Sequence, residues 1–244
     1  MTWWIKACLN GARRPDEHPA VPLTPAQLAT AAAATAAAGA AAVHVHPRDG
    51  DGLETLDAGA VGAAVTAIRA AVPGMPVGVS TGLWIAAGDP DRRSTEVGRW
   101  ATLPPSARPD FASVNLSEPG FAELATVLRA AGIAVEAGVW SVADALALGR
   151  ASVLRVLVEI IDAPAENAVA EADAVLAALD AANSSAPRLL HGENSACWAL
   201  IRHAARLGLP TRIGLEDVLT APDGTSVNDN AHLVRLAALE QLRV

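Results

Sequence analysis

The sequence predicts a (β/α)8 barrel of the TIM-barrel class, forming a single catalytic domain over residues 1–244. Short apolar segments alternate with helical segments along the 244 residues, and a barrel of this class needs about 250 residues. The alternation implies a parallel sheet covered by helices on its outside. An open doubly wound sheet is the alternative, but that fold normally has a glycine-rich phosphate turn after its first strand, and Asn10-Gly11-Ala12-Arg13 is not one.

Eight strands are predicted, with helical segments between them. The strands cover residues 5–9, 41–46, 77–80, 111–115, 133–136, 154–159, 188–191 and 212–215. Thr24-Pro25 places a capping residue before a proline at the first helical position, and Gly39 ends that helix. Asp229-Asn230 opens a final helix that runs toward Glu240.

The composition argues against several classes of function. The formal net charge is −8 and no basic patch is visible, so a nucleic-acid partner is not expected. The longest apolar run, residues 29–45, consists mainly of alanine, which is typical of a helix, a turn and a strand rather than a membrane segment. Cys8 and Cys197 have no metal-like spacing and indicate a reduced, cytoplasmic protein.

Polar side chains stand at the carboxyl end of every predicted strand, where barrels of this class form their active sites. They are Asn10, His44, His46, Ser80, Asn115, Glu136, Glu159, His191 and Glu216. Any one of them alone fits a structural polar group, whereas a complete set at one rim favours an active site. The pattern assigns no particular role to Glu159 or His191.

The segment His44-Val45-His46 predicts a metal site. Residues two apart in a strand point to the same side, so both imidazoles face the barrel axis while Val45 faces the helices. Two inward imidazoles can share one metal ion. A hydrogen-bonded pair of core histidines is the alternative, but buried imidazoles without a metal need several polar partners.

Glu216 is predicted to complete this site. Arg212, Gly214 and Glu216 share one face of the last strand, and alternate strands fill the same interior layers of a barrel. Two histidines and one carboxylate form a common catalytic metal set, which favours zinc and leaves manganese, iron and nickel as alternatives. Asp217 is expected to point elsewhere, either free to act as a base or serving as a helix cap or loop carboxylate.

Several short motifs follow one another along essentially the whole chain. They are Asn10-Gly11-Ala12, Pro22-Leu23-Thr24-Pro25, Ala38-Gly39-Ala40, His44-Val45-His46-Pro47-Arg48-Asp49, Ser80-Thr81-Gly82, Gly214-Leu215-Glu216-Asp217 and Pro222-Asp223-Gly224 with Asn230. In these motifs the chain resembles the β-keto acid cleavage enzymes, whose type member is the 3-keto-5-aminohexanoate cleavage enzyme of lysine fermentation. The resemblance implies a zinc-dependent barrel that condenses a β-keto acid with acetyl-CoA, giving acetoacetate and a new acyl-CoA.

The resemblance also implies roles for single residues. Zinc would be held by His44, His46 and Glu216. The catalytic set would be Asp217 as general base, oriented by Ser80 and Arg212. The substrate-binding set would be Glu136, Asn115, Asn10 and Arg13. The family further implies a homo-oligomer, often a tetramer.

The chain departs from the family pattern in two respects. The type enzyme has a glutamate at the position of Arg13, where it faces the substrate's amino group, so we expect an anionic or neutral β-keto acid here; an exposed Arg13 outside the pocket is the alternative. The chain is also shorter than typical members, so loops that contact CoA are expected to be reduced. A metal-dependent aldolase, lyase or hydrolase that needs no CoA, and a non-catalytic barrel, therefore stay open.

Overall fold

The computed structural model describes residues 4–161 and 163–243, and residues 1–3, 162 and 244 of the predicted domain lie outside the described residues. Strands and α-helices alternate through this part of the chain. The strands are β1 Ile5–Cys8, β2 Ala42–Val45, β3 Val77–Ser80, β4 Phe111–Asn115, β5 Ala134–Val139, β6 Arg155–Ile160, β7 Arg188–Gly192 and β8 Thr211–Ile213. The helices are α1 Pro25–Ala37, α2 Ala58–Ala71, α3 Pro90–Gly98, α4 Phe121–Ala130, α5 Val142–Leu148, α6 Ala165–Ala181, α7 Cys197–Leu207 and α8 Asn230–Leu242.

The eight strands form one parallel sheet in the order β7-β6-β5-β4-β3-β2-β1-β8. The two ends of this order also meet. The Leu190 amide of β7 donates to the Pro210 carbonyl at 3.0 Å, and the Thr211 hydroxyl of β8 donates to the Leu190 carbonyl at 2.7 Å. The sheet therefore curves into a nearly closed ring, which confirms the predicted (β/α)8 barrel and excludes an open doubly wound sheet.

The helix boundaries follow the predicted capping signals. Thr24 caps α1: its hydroxyl accepts from the Gln27 amide, and the Gln27 side chain bonds back to the Thr24 amide. Gly39 follows the end of α1 with a φ of 104°, in the left-handed region. Asp229 caps α8 through the His232 amide at 2.7 Å.

Apolar side chains fill the space between the strands and the surrounding helices. Helix α1 buries Leu28 and Ala32, and α2 buries Val61, Val65 and Ile68. Alanine is common on these helices, and its small side chain lets them lie close to the sheet and to each other. No helix in the described part of the chain is long and apolar enough to span a bilayer.

Two predicted strand ends are wrong by two residues or more, and both affect the site. Strand β5 continues to Val139, three residues beyond the predicted end at Glu136, because the Glu136 carboxylate is buried as an ion pair inside the barrel. Strand β8 ends at Ile213 rather than at residue 215. The Asp217 and Val218 amides both donate to the Gly214 carbonyl, at 2.9 and 3.1 Å, so Glu216 lies in a turn.

Candidate metal centre and active site

A cavity of about 440 Å3 opens at the carboxyl ends of the strands. Its wall includes the predicted residues His44, His46, Ser80, Asn115, Arg212 and Glu216. Most of these side chains are buried to 7% exposure or less. The position agrees with the rule that barrels of this class place their active sites at this end.

Three potential metal ligands converge on one point of this cavity. The Nε2 atoms of His44 and His46 lie 3.2 Å apart, and the His46 Nε2 lies 3.6 Å from Glu216 Oε1. One ligand atom from each residue lies within 4.8 Å of those of the other two. Glu216 Oε2 is buried and has no hydrogen-bond partner among the described residues. Two imidazole nitrogens and a carboxylate with a free buried oxygen fit a divalent metal such as zinc.

The charges of the three ligands suit this assignment. Burial lowers the pKa of His44 to about 3, so its imidazole is neutral. Burial also opposes protonation of His46, but the Glu216 and Glu54 carboxylates outweigh it and raise its pKa to about 9. Burial disfavours ionised Glu216, yet Arg212 and the two histidines hold its pKa well below the usual range. Metal binding would therefore displace a proton from His46.

His46 is held in position by residues outside the ligand set. Its Nδ1 is hydrogen-bonded to Glu54 Oε1, which directs Nε2 toward His44 and Glu216. Its backbone is fixed by Asn10, whose Oδ1 accepts from the His46 amide at 2.9 Å and whose Nδ2 donates to the His46 carbonyl at 2.8 Å. A carboxylate on the second ring nitrogen of a histidine is a common support for a metal ligand.

Replacing Glu54 by glutamine is expected to weaken zinc binding by about 10- to 100-fold, because an amide at this position no longer offers His46 a negative acceptor. The dissociation constant is measured by competition with a chromophoric chelator. Glu123→Gln on the exposed side of α4 is the matched control and should bind zinc like the unmodified protein. Equal affinity for the Glu54 and Glu123 variants would contradict this role.

Gly11 makes room for Glu216. Its φ is +53°, a value that side chains other than hydrogen rarely adopt, and a Cβ here would overlap the Glu216 side chain. The Gly11 carbonyl accepts a hydrogen bond from Arg48, which also donates to the Arg13 carbonyl at 3.2 Å. The Asn10-Gly11-Ala12 motif is thus explained by the path of the backbone beside the metal ligands.

Arg212 lies among four carboxylates. It donates to Asp217 Oδ1 through Nε at 3.0 Å and Nη2 at 2.7 Å, and to Glu216 Oε1 at 3.0 Å. Its Nη1 also lies 3.2 Å from Glu159 Oε2, and its Nη2 lies 3.6 Å from Glu193 Oε1. Burial disfavours the charged guanidinium, but Asp217 foremost, together with Glu216 and Glu159, raises the pKa of Arg212 well above its usual value. Arg212 therefore stays charged and compensates buried negative charge.

Asp217 is held in place by Arg212, whose Nε and Nη2 both donate to its Oδ1. It is fully buried and does not line the cavity, because the turn after β8 directs it toward Arg212 and His191. Its Oδ2 has no partner among the described residues, and burial raises its pKa. Ser80 lines the cavity but is not seen to hydrogen-bond Asp217 in the described structure; its Oγ accepts from the Gly82 amide at 3.3 Å.

Glu159 occupies space that Gly138 leaves free. A Cβ at residue 138 would lie 2.5 Å from Asn115 Oδ1 and 2.9 Å from Glu159 Oε1, so any larger residue there would displace both side-chain ends. Glu159 accepts from Trp140 Nε1 at 3.1 Å and bonds His191 Nε2 at 3.0 Å. Burial opposes its ionisation, but Arg212 and His191 outweigh burial and lower its pKa to about 2. Glu159 is thus an ionised group of the cavity wall, a role that the strand pattern left open.

Glu193 is a second carboxyl group on the wall, directly after β7. Burial raises its pKa from 4.5 to about 8; Arg212 opposes this shift, and Asp217, Glu159 and Glu216 add to it. The unfolded chain loses this proton near its ordinary value, whereas the folded protein keeps it up to about pH 8. Its contribution to stability is therefore fully present at low pH and is lost as the pH rises through about 8.

Glu193→Gln is therefore expected to flatten the pH dependence of stability in protein stripped of metal. The melting temperature should fall less for this variant than for the unmodified protein when the pH rises from about 5 to about 9. Thermal unfolding in a chelator at the two pH values measures the difference, with Glu123→Gln as the control. Parallel pH profiles for all three proteins would show that Glu193 does not titrate in this interval.

The four predicted substrate-binding residues divide into two pairs. Asn115 and Arg13 line the cavity, and Arg13 is therefore not merely an exposed surface arginine. Glu136 and Asn10 are not among the residues that line it, so their part in substrate binding stays a prediction. Glu136 lies below the cavity, where it pairs with Lys6 and with Arg155 at 2.6 Å, while Asn10 is fully buried against the His46 backbone.

Several residues of the site were not found from the sequence. Glu54 lies in a loop and Trp84 in a single-turn 3-10 helix, Leu83–Ala86, and neither segment is long enough for a periodicity to show which way a side chain points. Trp140 and Glu193 lie directly after β5 and β7, so their place at strand ends was an available signal. That signal was missed because β5 and β7 were predicted to end three residues and one residue too early.

Comparison with known structures gives further information on the fold. ObcA superposes with a TM-score of 0.73 at 18% identity, over 92% of this chain and 62% of that chain. ObcA with oxaloacetate gives 0.72, at 18% identity over 92% and 64%. The complex of ObcA with a C4-CoA adduct and oxalate gives 0.71, at 19% identity over 92% and 64%. The chain thus spans less than two thirds of the length of ObcA.

A further structural match is 3-dehydroquinate dehydratase from Geobacillus kaustophilus HTA426, with a TM-score of 0.62 at 13% identity over 97% of this chain and 90% of that one. These similarities show the fold alone. Comparison with curated protein sequences gives no significant match. The model of the beta-keto acid cleavage enzyme family, in contrast, matches residues 3–240. Because that match covers nearly the whole sequence, the chain belongs to the β-keto acid cleavage enzymes.

Proposed function

We propose that this protein condenses a β-keto acid with acetyl-CoA in a zinc-dependent reaction that yields acetoacetate and a new acyl-CoA. The observation that carries the proposal is the set of His44, His46 and Glu216 at the active-site end of a barrel of this family. The complexes of ObcA with oxaloacetate and with a C4-CoA adduct support a keto acid and CoA as ligands.

The metal has a defined place and task in this proposal. Its ligands would be His44 Nε2, His46 Nε2 and Glu216. A divalent cation bound there would polarise the ketone of a β-keto acid, which is worth several kcal/mol of charge stabilisation in such sites. Zinc is our choice because nitrogen and oxygen ligands with open positions are typical of catalytic zinc.

The reaction forms one carbon–carbon bond and one carbon–sulfur bond, and it breaks one bond of each kind. A base removes a proton from the carbon between the keto and carboxylate groups, and that carbon attacks the acetyl carbonyl of acetyl-CoA, releasing the CoA thiolate. The thiolate then attacks the original keto carbon, and the bond to the central carbon breaks. The central carbon takes a proton and leaves as acetoacetate, while the original acyl group leaves on CoA.

We assign the base to Asp217, although its side chain is not part of the cavity wall in this structure, with Arg212 as the residue that positions it. Arg212 binds Asp217 Oδ1 and leaves Oδ2 without a partner among the described residues. The guanidinium also reaches the cavity, where it can donate to the substrate's developing negative charge. Glu193 is the second candidate for the base, since its carboxyl group lies on the cavity wall and is ionised above about pH 8.

Ser80 and Asn115 are proposed to bind substrate. Both side chains lie on the cavity wall, at the ends of β3 and β4. The Asn115 amide donates to Glu118 Oε1 at 3.0 Å, which holds the side chain in place. The Ser80 hydroxyl accepts from the Gly82 amide, so its own proton can be donated to a substrate oxygen.

The reaction is tested by incubating zinc-loaded protein with acetyl-CoA and a broad panel of β-keto acids. We expect acetoacetate to appear with at least one acid, in amounts equal to the new acyl-CoA. A complete lack of acetoacetate across the panel would contradict the assigned reaction. Turnover of a keto acid without acetyl-CoA would instead support the CoA-independent aldolase, lyase or hydrolase.

Three further properties of the protein stay predictions. They are the cytoplasmic location, the assembly into a homo-oligomer and the sufficiency of residues 1–244 as one catalytic domain. Size-exclusion chromatography with light scattering measures the second, and a homogeneous multiple of the 24.9 kDa chain is the expected result.

A further inference from the structure

The cavity has two chemically different sides. On the side of β7 and β1, its wall carries the charged and polar residues Arg13, Glu17, Glu193 and Asn194. On the other side, beyond the polar Ser80 and Glu159 at the ends of β3 and β6, the segments that follow β3, β5 and β6 add two indole rings and an aliphatic side chain to the wall. We name the latter set the aromatic wall, and its members are Trp84, Trp140 and Ile161.

The two tryptophans of the aromatic wall offer only apolar contact. The Trp84 Nε1 donates to Glu54 Oε2 at 3.0 Å, and the Trp140 Nε1 donates to Glu159 Oε1 at 3.1 Å. Nε1–H is the only hydrogen-bond donor of a tryptophan side chain. Since each donor is already bound to a carboxylate of the protein, what the rings present to a ligand is apolar surface.

The aromatic wall begins next to the proposed metal ligands. The ring of Trp84 stacks against that of His46, with 6.3 Å between centroids and 23° between planes. Trp84 is nevertheless 48% exposed, which is unusual for so large an apolar side chain. An apolar group attached close to the keto oxygen would cover this ring, and such walls with a few polar groups are typical of small-molecule sites.

The charged side chain of Arg13, on the polar side of the cavity, already has partners within the protein. Arg13 donates from Nη1 to Glu17 Oε1 at 2.9 Å and from Nη2 to Asn194 Oδ1 at 3.0 Å. The Arg13 guanidinium in turn lowers the pKa of Glu17, so that this carboxyl group stays ionised. A second carboxylate on the substrate would have to displace Glu17 from Arg13. A doubly charged keto acid therefore gains little from Arg13.

We propose that the aromatic wall binds the substituent on the keto carbon, and that the substrate is a β-keto acid with an apolar alkyl or aryl substituent. This inference rests on the proposed function. Of the anionic and neutral substituents expected from the sequence, it selects the neutral, apolar ones. Trp84, Trp140 and Ile161 act as specificity-determining residues. The substrate's own carboxylate and ketone stay at the polar end of the cavity.

The test compares two six-carbon acids that differ only in the end of the substituent. Binding of 3-oxohexanoate and of 3-oxoadipate to zinc-loaded protein is measured by titration calorimetry without acetyl-CoA. We expect 3-oxohexanoate to bind about tenfold tighter or more, because a charged group on an apolar wall loses hydration without a partner. Equal affinities, tighter binding of 3-oxoadipate, or no binding of either acid would overturn the inference.

Variants separate the ring surface of Trp84 from its hydrogen bond. Trp84→Ala should weaken 3-oxohexanoate binding about tenfold or more, whereas Trp84→Phe, which also lacks the bond to Glu54, should stay within about threefold. Leu239→Ala, at an exposed apolar residue of α8, is the control and should change nothing. Trp140→Ala gives an independent measurement with the same expected loss. Unchanged binding in both alanine variants, or a loss of 3-oxoadipate binding in Arg13→Ala, would overturn the inference.

Turnover distinguishes this inference from the proposed function. If 3-oxohexanoate binds selectively but no acid yields acetoacetate, the assigned reaction is wrong and the apolar substituent site is still supported. Faster acetoacetate formation from 3-oxoadipate than from 3-oxohexanoate would overturn the subsite and leave the reaction standing.

Discussion

Asp217→Asn is expected to lower kcat by about 10²- to 10⁴-fold, the range that a positioned general base contributes. The asparagine oxygen can still accept the two hydrogen bonds from Arg212, so the site keeps its geometry. It cannot take a proton from the substrate. The rate of acetoacetate formation measures the effect, and metal analysis checks that zinc is still bound.

Glu193→Gln is the matched control for this prediction. It removes another carboxyl group close to Arg212, yet Glu193 lies further from Arg212 than Asp217 does, at 3.6 against 2.7 Å. We expect its kcat to stay within about tenfold of the unmodified protein. A large loss in Glu193→Gln together with near-normal activity in Asp217→Asn would transfer the role of the base to Glu193.

Arg212→Met is expected to lower the free energy of unfolding by about 3–5 kcal/mol, the usual cost of removing one partner from a buried ion pair. Asp217, Glu216, Glu159 and Glu193 all lie within 3.6 Å of this guanidinium. Without it, the buried carboxylates either keep an uncompensated charge or must take up protons, and both lower the stability of the folded protein. Urea unfolding at neutral pH measures the change.

Arg188 offers a surface pair for comparison, because its partner Asp180 is 71% exposed. Arg188→Met is expected to cost no more than about 1 kcal/mol, since solvent screens exposed pairs. Arg212→Lys keeps the charge and loses the bidentate geometry, so it should recover much of the stability but little of the activity. Equal stabilities for Arg212→Met and Arg188→Met would contradict the role of Arg212 in compensating buried charge.

The fold was predictable because its signal repeats. Each strand is a short apolar run followed by a helix with its own start and stop residues, such as Thr24 and Gly39 at the two ends of α1. The strand ends were less predictable because a polar residue does not always end a strand. Glu136 lies in the middle of β5, where Lys6 and Arg155 compensate its charge inside the barrel.

The metal centre was predictable only in part. His44 and His46 follow directly from the two-residue repeat of β2. Glu216 was expected on the strand face and reaches the histidines from the turn after β8 instead. Glu54 could not be predicted, because the loop that brings it back to His46 has no periodic pattern. Contacts between loops depend on the folded barrel and not on local sequence.

The most direct test of the metal centre is the metal content of purified protein after loading with zinc and removal of the excess. We expect about one zinc ion per chain, the stoichiometry of a single catalytic site, and loss of most of it in His46→Ala and Glu216→Gln. His232→Ala, at a histidine whose ring accepts from the Asn228 amide, should keep the full amount. Protein without stoichiometric zinc, or ligand variants that retain as much zinc as His232→Ala, would contradict a metal centre formed by His44, His46 and Glu216.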